Sequence, residues 1–417
     1  MNWAEAEQEK KNSIPVALCV VCGYFGYFMQ YTNITGQWAL SNFACGIVVL
    51  LLSFFARTKG FKYCTTANRT HYLFLVFIAA IYVWSYVFKA SDYNILYFLF
   101  YVVLPAYVIS GGFRINIVLK VLGFISIPSV LFYNKIFALS YVGLNQASMG
   151  ITYFVLDLVT AFILYLIYYR EEAKWYTYIS YIASIVLLIG VILHGVRGVI
   201  LSLAVVLVFC YINKVSVRGE ENDILKDDNN RKVRIGLIGL IIILVVTNYA
   251  VIFEAIYEFA SNTFSSVPGF ITKMAIYIRT GNILNGRDNI LSGTFSLISR
   301  HPIFGVGVGN FGKYFTSLFG SQVSYPHNYI LQFWSECGII SAIIVTLVPA
   351  VAIKRLLFIK KDEKDYIVAL IFFVSLIFPR FFVSLNIWSF SEIWIALYCL
   401  INLSRRSQAV KENGDPQ

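Results

Sequence analysis

The chain has 417 residues, of which 59% are hydrophobic, 17% are aromatic and 13% are charged. A soluble globular fold of this length cannot bury so many apolar residues, so the composition excludes an ordinary soluble protein and indicates many membrane spans. The net charge of +11 would suit nucleic acid, but membrane proteins also concentrate Lys and Arg in their cytoplasmic loops. The position of each charge therefore decides its meaning.

Twelve apolar segments follow one another along the chain, each near the roughly 20 residues that cross a hydrocarbon core of about 30 Å. We predict that the spans are Ile14–Met29, Trp38–Ala56, Tyr72–Phe88, Ile95–Ser110, Ile115–Phe132, Ile151–Tyr168, Trp175–Leu193, Val199–Ile212, Ile235–Phe253, Tyr329–Ala352, Tyr366–Phe382 and Ile387–Leu403. Residues 1–11 are rich in charge and the first apolar run reaches spanning length without an A-x-A cleavage site, so we expect no cleavable signal peptide. The expected fold class is all-α, with residues 1–417 forming a single integral membrane domain.

The distribution of Lys and Arg sets the expected orientation. When both termini are placed in the cytoplasm, most Lys and Arg residues fall in the inner connections, as the positive-inside rule requires. The excess positive charge is then a topology signal, and we expect no nucleic-acid partner. The inner loop 213–234 is interpreted as a solvated cytoplasmic linker, and the cytoplasmic tail 404–417 is expected to be disordered.

This topology places residues 254–326 outside, as one large extracytoplasmic loop between the ninth and tenth spans. Structureless connections of such length are uncommon unless they are functional. The spacing of apolar and polar residues in Ile271–Ile278 and Asp288–Ser299 predicts two short helices on the membrane face. We therefore expect the chemistry to lie in this loop and where it re-enters the membrane.

Arginines on the outer side are the first candidates for that chemistry. Arg197, in the HGVRG turn between spans seven and eight, sits where a guanidinium is costly, which indicates a functional site; the alternative is an interfacial arginine that reaches the headgroups. Arg287 and Arg279 lie in the large loop. Arginine offers a planar fork for phosphate, so converging arginines would clamp a diphosphate, whereas an isolated one would be solvated.

A histidine marks the re-entry point of the outer loop. His327 stands between Pro326 and Asn328 at the start of span ten, and a neutral imidazole there can accept a proton from a hydroxyl. The alternative is a structural histidine that only makes hydrogen bonds. Glu336, nine residues on, is expected to orient a partner or to pair with an arginine.

Two further features narrow the chemistry. The GVGVGNF stretch could present backbone amides to phosphate, but tight loop packing is the alternative and no dinucleotide fold flanks it. The outer side has no D-x-D motif, and its acids Asp92, Asp288, Glu254 and Glu258 are scattered. We therefore predict no metal and no cofactor, so that arginines stabilise any phosphate charge.

These residues carry a resemblance to a known family. Arg287, the RHPIFGVGVGNF stretch and PHNYILQFWSECGI together resemble the signature of the O-antigen polymerase and O-antigen ligase family. HGVRG is similar to that family's S-R-G element, with Val196 where Ser or Thr is usual. The motif match covers about fifty residues of the sequence.

The resemblance implies a GT-C-like helical membrane protein of the bacterial inner membrane. It would be a metal-independent, inverting glycosyltransferase whose active site faces the periplasm. Its donor would be a glycan on undecaprenyl diphosphate, and its expected partners include membrane lipid, a chain-length regulator and a flippase. In a polymerase the acceptor is another lipid-linked repeat unit; in a ligase it is lipid A–core.

The resemblance also implies roles for individual residues. Arg197 and Arg287 would bind the diphosphate, and His327 would be the general base on the acceptor hydroxyl. Further substrate-binding candidates are Arg279, Asn328, Glu336 and Tyr314. Tyr314, Phe315, Tyr325 and Trp334 are candidates for stacking on sugar rings, with interfacial anchoring as the alternative.

Three functions are open at this point. We favour the polymerase, because the chain shows few motifs beyond the family minimum, and the ligase is the alternative. A non-enzymatic transporter of lipid-linked glycans would spread charged residues through many spans. Here the predicted spans are nearly free of charge, apart from Lys120 and Asp157, and the charges concentrate at one outer face.

Overall fold

The computed structural model describes residues 3–31, 38–57, 67–91, 93–131, 146–170, 175–194, 197–218, 233–241, 244, 247–263, 267, 269–281, 287–358, 364–378 and 386–412. The regular secondary structure of this part of the chain is helical, and these residues contain no strand. The predicted all-α class is therefore confirmed.

Sixteen helices of the described residues are used below. In chain order they are α1 Trp3–Tyr31, α2 Trp38–Arg57, α3 Arg69–Phe88, α4 Ile95–Ser110, α5 Ile115–Leu131, α6 Gln146–Tyr168, α7 Trp175–His194, α8 Arg197–Arg218, α9 Tyr249–Thr263, α10 Gly269–Arg279, α11 Arg287–Arg300, α12 Phe311–Phe319, α13 Tyr329–Cys337, α14 Ile339–Phe358, α15 Lys364–Ile377 and α16 Ser391–Glu412. Residues 233–241 are also helical, and a 3₁₀ turn Ile387–Ser389 precedes α16. Within α4, the residues Leu99–Val103 form a π-helical turn.

Two helices of the described part, α3 and α14, are long and apolar enough to cross a membrane. Several others are apolar but shorter, among them α4, α5 and parts of α2, α6, α7, α8 and α16. Length and composition alone support this statement. The twelve-span topology and the GT-C-like architecture therefore stay predictions.

The core lies around α15 and α16. Every residue of α15 from Ile367 to Ile377 is buried, as is the stretch Ile393–Ile401 of α16. A helix that is apolar on all sides must be covered on all sides. Helices α1, α6, α8 and α14 pack against this pair, so the last two helices form the centre of the bundle and not its edge.

The predicted outer loop, residues 254–326, contains helices among its described residues. The two short helices predicted there appear as α10 and α11, each extending a little beyond the predicted bounds. Residues 282–286 between them, including Gly286, lie outside the described residues. The predicted linker 213–234 lies outside them for residues 219–232.

Several boundaries differ from the sequence prediction, among them the start of α1 at Trp3 in place of Ile14 and the end of α9 at Thr263 in place of Phe253. The apolar segment Tyr329–Ala352 is not one helix, because Gly338, with φ +83°, separates α13 from α14. The helical backbone of α16 continues to Glu412, although disorder was expected from Ser404 onward. The break at Gly338 matters for function, because it makes α13 a separate short helix next to the predicted outer loop.

Candidate functional site

The glycine-rich loop between α11 and α12 lies against the C-terminal end of α13. The Val306 amide donates to the Ser335 carbonyl at 2.8 Å, and the Gly307 amide donates to the Glu336 carbonyl at 2.9 Å. The Ile339 amide at the start of α14 donates to the Pro302 carbonyl at 3.1 Å. The first two bonds satisfy carbonyls at the end of α13, and the third satisfies an amide at the start of α14. The loop therefore caps both helices where they meet.

Close backbone approach explains two of the glycines. A Cβ on Gly338 would lie 1.7 Å from the Ile303 carbonyl oxygen, and one on Gly305 would lie 2.4 Å from the Glu336 carbonyl carbon. Both residues also have positive φ, at +83° and +69°, where only glycine is free of a steric penalty. At Gly305 and Gly338, tight packing of the loop therefore explains the glycines, as the alternative to phosphate binding predicted.

Replacement of Gly338 by alanine is expected to lower the unfolding free energy by about 2–3 kcal/mol, because the new Cβ clashes with backbone. Gly320→Ala is the matched control, since Gly320 has φ +70° but nothing within 4 Å of its added Cβ. It should cost only about 1 kcal/mol of conformational strain. Thermal unfolding in detergent measures both variants, and equal losses would contradict the packing argument.

Glu336 sits beneath this loop with 1% of its surface exposed. Its carboxylate accepts hydrogen bonds from the Phe311 amide at 3.2 Å, from the Trp388 indole and from the Gln332 side chain at 3.4 Å. A buried carboxylate needs such donors to offset its loss of water. All of these donors belong to the protein. The Glu336 side chain therefore links the start of α12, its own helix α13 and the segment before α16.

His327 lies immediately before α13, and Asn328 is the N-cap of that helix. The Asn328 side chain accepts from the Leu331 amide at 3.0 Å, which fixes the start of α13. His327 has φ +59°, a left-handed conformation that is uncommon for a residue with a Cβ and that tends to occur at functional sites. Its ring packs edge-on against Tyr325 at a centroid distance of 4.7 Å.

The imidazole of His327 is neutral in this environment. Burial and, to a smaller extent, the positive charge of Arg287 together lower the pKa of His327 to about 4. Desolvation disfavours the imidazolium, and a nearby cation repels it. At neutral pH the side chain is therefore a proton acceptor.

Arg287 is the first residue of α11 and is half-buried. A helix N-terminus carries partial positive charge, so a cation there is unfavourable by itself. Together, the guanidinium and the first amides of α11 form a positive environment suited to an anion. Because the charge of Arg287 acts on His327, the structure brings these two predicted residues together.

The remaining predicted residues are placed differently. Arg197 begins α8, and its side chain lies outside the described residues. Arg279 ends α10, makes an ion pair with Glu254 of α9 and lies over the ring of Tyr257 at 4.9 Å. Its side chain is exposed, and these contacts tie α10 to α9.

The aromatic candidates divide by burial. Tyr314 is half-buried on α12, and its ring lies 5.8 Å from that of His301. Phe315 is buried in a small core of the outer loop, and Tyr325 is buried against His327. The indole of Trp334 donates to the Pro302 carbonyl at 3.2 Å, so it also holds the glycine-rich loop.

Two parts of this region were not singled out in the sequence. Trp388, before α16, donates to Glu336, and its carbonyl accepts from the Tyr93 hydroxyl. The Lys89 carbonyl accepts from the Asn310 side chain at 2.9 Å. A buried indole needs an acceptor, which is a weak signal for Trp388, whereas nothing local in the sequence indicates the contact of Lys89 with the loop. Within the described residues, no group of three His, Cys, Asp or Glu side chains is placed to hold a metal ion.

Fold and site together define a class of protein. The apolar helices, together with the family match, indicate a membrane protein. The site combines a neutral histidine with an arginine at a helix N-terminus. Residues 182–346 match the model of the O-antigen ligase family, which confirms the resemblance to the O-antigen polymerase and ligase family. The matched part contains all seven predicted site residues, and it supports a membrane glycosyltransferase activity of the O-antigen ligase or polymerase type. None of the curated proteins compared with the chain matches it.

Proposed function

We propose that this protein is an O-antigen polymerase that transfers a growing glycan from undecaprenyl diphosphate to the terminal sugar of another lipid-linked repeat unit. The proposed location is the periplasmic face of the bacterial inner membrane, and both termini are cytoplasmic. The observation that carries the proposal is the pairing of the Arg287 charge with the neutral His327, inside the segment that matches the family.

The proposed reaction is a single inverting displacement. A hydroxyl of the acceptor sugar forms a bond to the anomeric carbon of the donor glycan, while the bond from that carbon to the diphosphate oxygen breaks. The hydroxyl proton passes to His327, and the electron pair leaves with undecaprenyl diphosphate. Arg287, the amides at the start of α11 and Arg197 would stabilise the departing negative charge. Positioning of the two substrates supplies the rest of the acceleration.

The low pKa of His327 fits a site that becomes active when the donor binds. A base with a pKa of about 4 is weak, but part of that shift comes from Arg287. The negative charges of a bound diphosphate would offset the guanidinium and raise the basicity of the imidazole. In this scheme the proton acceptor gains strength only when the leaving group is in place.

The second candidate is the ligase, because the description of the matching family is O-antigen ligase. The donor, the displacement and the roles of Arg287 and His327 would be the same. The acceptor would be a sugar of lipid A–core instead of a second lipid-linked repeat unit.

The choice of acceptor is tested with purified protein in detergent, lipid-linked repeat units and a chelator. For a polymerase we expect a ladder of products on a gel without lipid A–core. If no ladder forms under these conditions and transfer appears only after lipid A–core is added, the protein is a ligase and the polymerase proposal is overturned.

Replacement of Arg287 by lysine tests the phosphate clamp. Lysine keeps the charge but not the planar fork, so transfer is expected to fall by about 10-fold, and Arg287→Gln should lower it by about 10²–10³-fold. Lys313→Arg is the matched control, because Lys313 is exposed on α12 and has no role in the proposed reaction. Full activity of Arg287→Lys would exclude a bidentate contact with the diphosphate.

A further inference from the structure

A second group of cations lies at the opposite end of α11. Arg300 is the last residue of that helix and His301 follows it, while Lys89 comes from the connection between α3 and α4. The positive charges of Lys89 and Arg300 both act on the imidazole of His301 and, after burial, help to lower its pKa. Three nitrogen-bearing side chains from two distant parts of the chain therefore converge.

The position of Lys89 is fixed by its surroundings. Its carbonyl accepts from Asn310 at 2.9 Å, and its ammonium lies 5.4 Å from the ring centroid of Trp84. The next residue, Ala90, has φ +44°, which costs free energy in a residue with a Cβ. The chain therefore holds Lys89 against the glycine-rich loop and next to a strained residue, and such strain occurs at ligand-binding positions.

Ion pairs among the described residues do not balance the charges of this group. In the part of the chain that the structure describes, neither Lys89 nor Arg300 makes an ion pair with a carboxylate. Cations held close together repel one another by an amount that depends on solvent exposure. Such a group is stabilised by an anion that binds between its members.

Apolar side chains adjoin the cations. The ring of Phe304 packs against that of Trp84 at a centroid distance of 5.5 Å. Phe304 and Ile303 are 62% and 56% exposed, although both are large and apolar. Basic groups beside exposed aromatic and aliphatic side chains are typical of a surface that meets headgroups and hydrocarbon together.

We propose that Lys89, Arg300 and His301 bind the phosphate group of a membrane-embedded amphiphile, with Trp84, Ile303 and Phe304 against the start of its hydrocarbon chain. The site is separate from the one at Arg287, because the fourteen residues of α11 span about 20 Å at 1.5 Å per residue. It goes beyond the proposed function, since it does not require glycan transfer, although a polymerase that joins two lipid-linked glycans has two such phosphate groups to hold.

The test measures binding of farnesyl diphosphate to the full-length protein in detergent by isothermal titration calorimetry. All proteins carry Arg287→Gln, so that the proposed donor site contributes little. In this background we expect Lys89→Gln and Arg300→Gln each to weaken binding on the order of 10-fold, the usual loss for a charge-assisted contact. Lys313→Gln is the matched control, because it removes one exposed outer-loop charge outside the group.

Two further arms identify the source of the phosphate. Inorganic pyrophosphate should bind more weakly than farnesyl diphosphate, because it has no chain to contact Phe304; equal binding would overturn the assignment of an amphiphile. Competition by phosphatidylglycerol but not by phosphatidylcholine would identify a lipid headgroup, and the lack of competition would identify a prenyl phosphate.

Binding that is equal in Lys89→Gln, Arg300→Gln and Lys313→Gln would overturn the site. Arg300 is exposed and makes no hydrogen bond or ion pair within the described residues, so its replacement should not disturb folding. Unchanged thermal unfolding of the Arg300→Gln variant checks that a loss of affinity comes from the lost charge.

Discussion

Replacement of His327 by asparagine is expected to lower the rate of glycan transfer by about 10²–10⁴-fold, the usual contribution of a general base. Asparagine tolerates a left-handed backbone better than most residues, so the variant keeps the φ of +59° while it removes the proton acceptor. Initial rates with saturating donor measure the effect. Lys313→Gln is the control, and a His327→Asn variant with near-normal rates would exclude the histidine as the base.

The pH dependence of the same reaction gives a second test of His327. The free protein has a histidine pKa of about 4, so the neutral, accepting form persists as the pH falls and is lost only below that value. We expect kcat/KM, which reports the free enzyme, to stay level from neutral pH down to about pH 5. A decline centred near the ordinary histidine pKa of about 6.5 would contradict the burial of His327 beside Arg287.

Replacement of Glu336 by alanine is the prediction with the largest expected effect on stability. It leaves the Phe311 amide and the Trp388 indole buried without their acceptor, and each such group costs about 1–3 kcal/mol. We expect the unfolding free energy to fall by about 3–5 kcal/mol and transfer to fall with it. Thermal unfolding in detergent and the transfer assay measure the two effects.

Two variants control the Glu336 experiment. Glu336→Gln keeps one acceptor oxygen, so its loss of stability should be smaller than that of the alanine variant. Glu258→Ala removes a carboxylate that is exposed on α9 and should change stability by less than about 0.5 kcal/mol. Similar stabilities for Glu336→Ala and Glu258→Ala would show that the buried carboxylate does not hold the loop.

Local patterns predicted the helices of this protein well. The bounds of α4 agree with the predicted segment Ile95–Ser110, and the mixed spacing of the outer loop predicted α10 and α11. Hydropathy did not predict the break at Gly338, because a single glycine hardly changes the average of an apolar window. Its positive φ and its close approach to Ile303 depend on a loop that lies outside that window in the sequence.

The sequence predicted which residues form the site but not the tertiary contacts around them. Motif spacing indicated Arg287 and His327, and the structure brings them together. The contacts that hold them, from Trp388 to Glu336 and from Asn310 to Lys89, join residues more than fifty positions apart. Such pairs depend on tertiary packing, which neither periodicity nor local propensity contains.

The most direct test of the central claim measures the release of undecaprenyl diphosphate from lipid-linked repeat units. The purified protein reacts with these units in the presence of a chelator, and mass spectrometry detects the products. We predict release by the wild-type protein, together with a new glycosidic bond of inverted configuration, and a loss of both in His327→Asn and Arg287→Gln. Release that continues at the wild-type rate in both variants would show that glycan transfer does not take place at the site formed by Arg287 and His327.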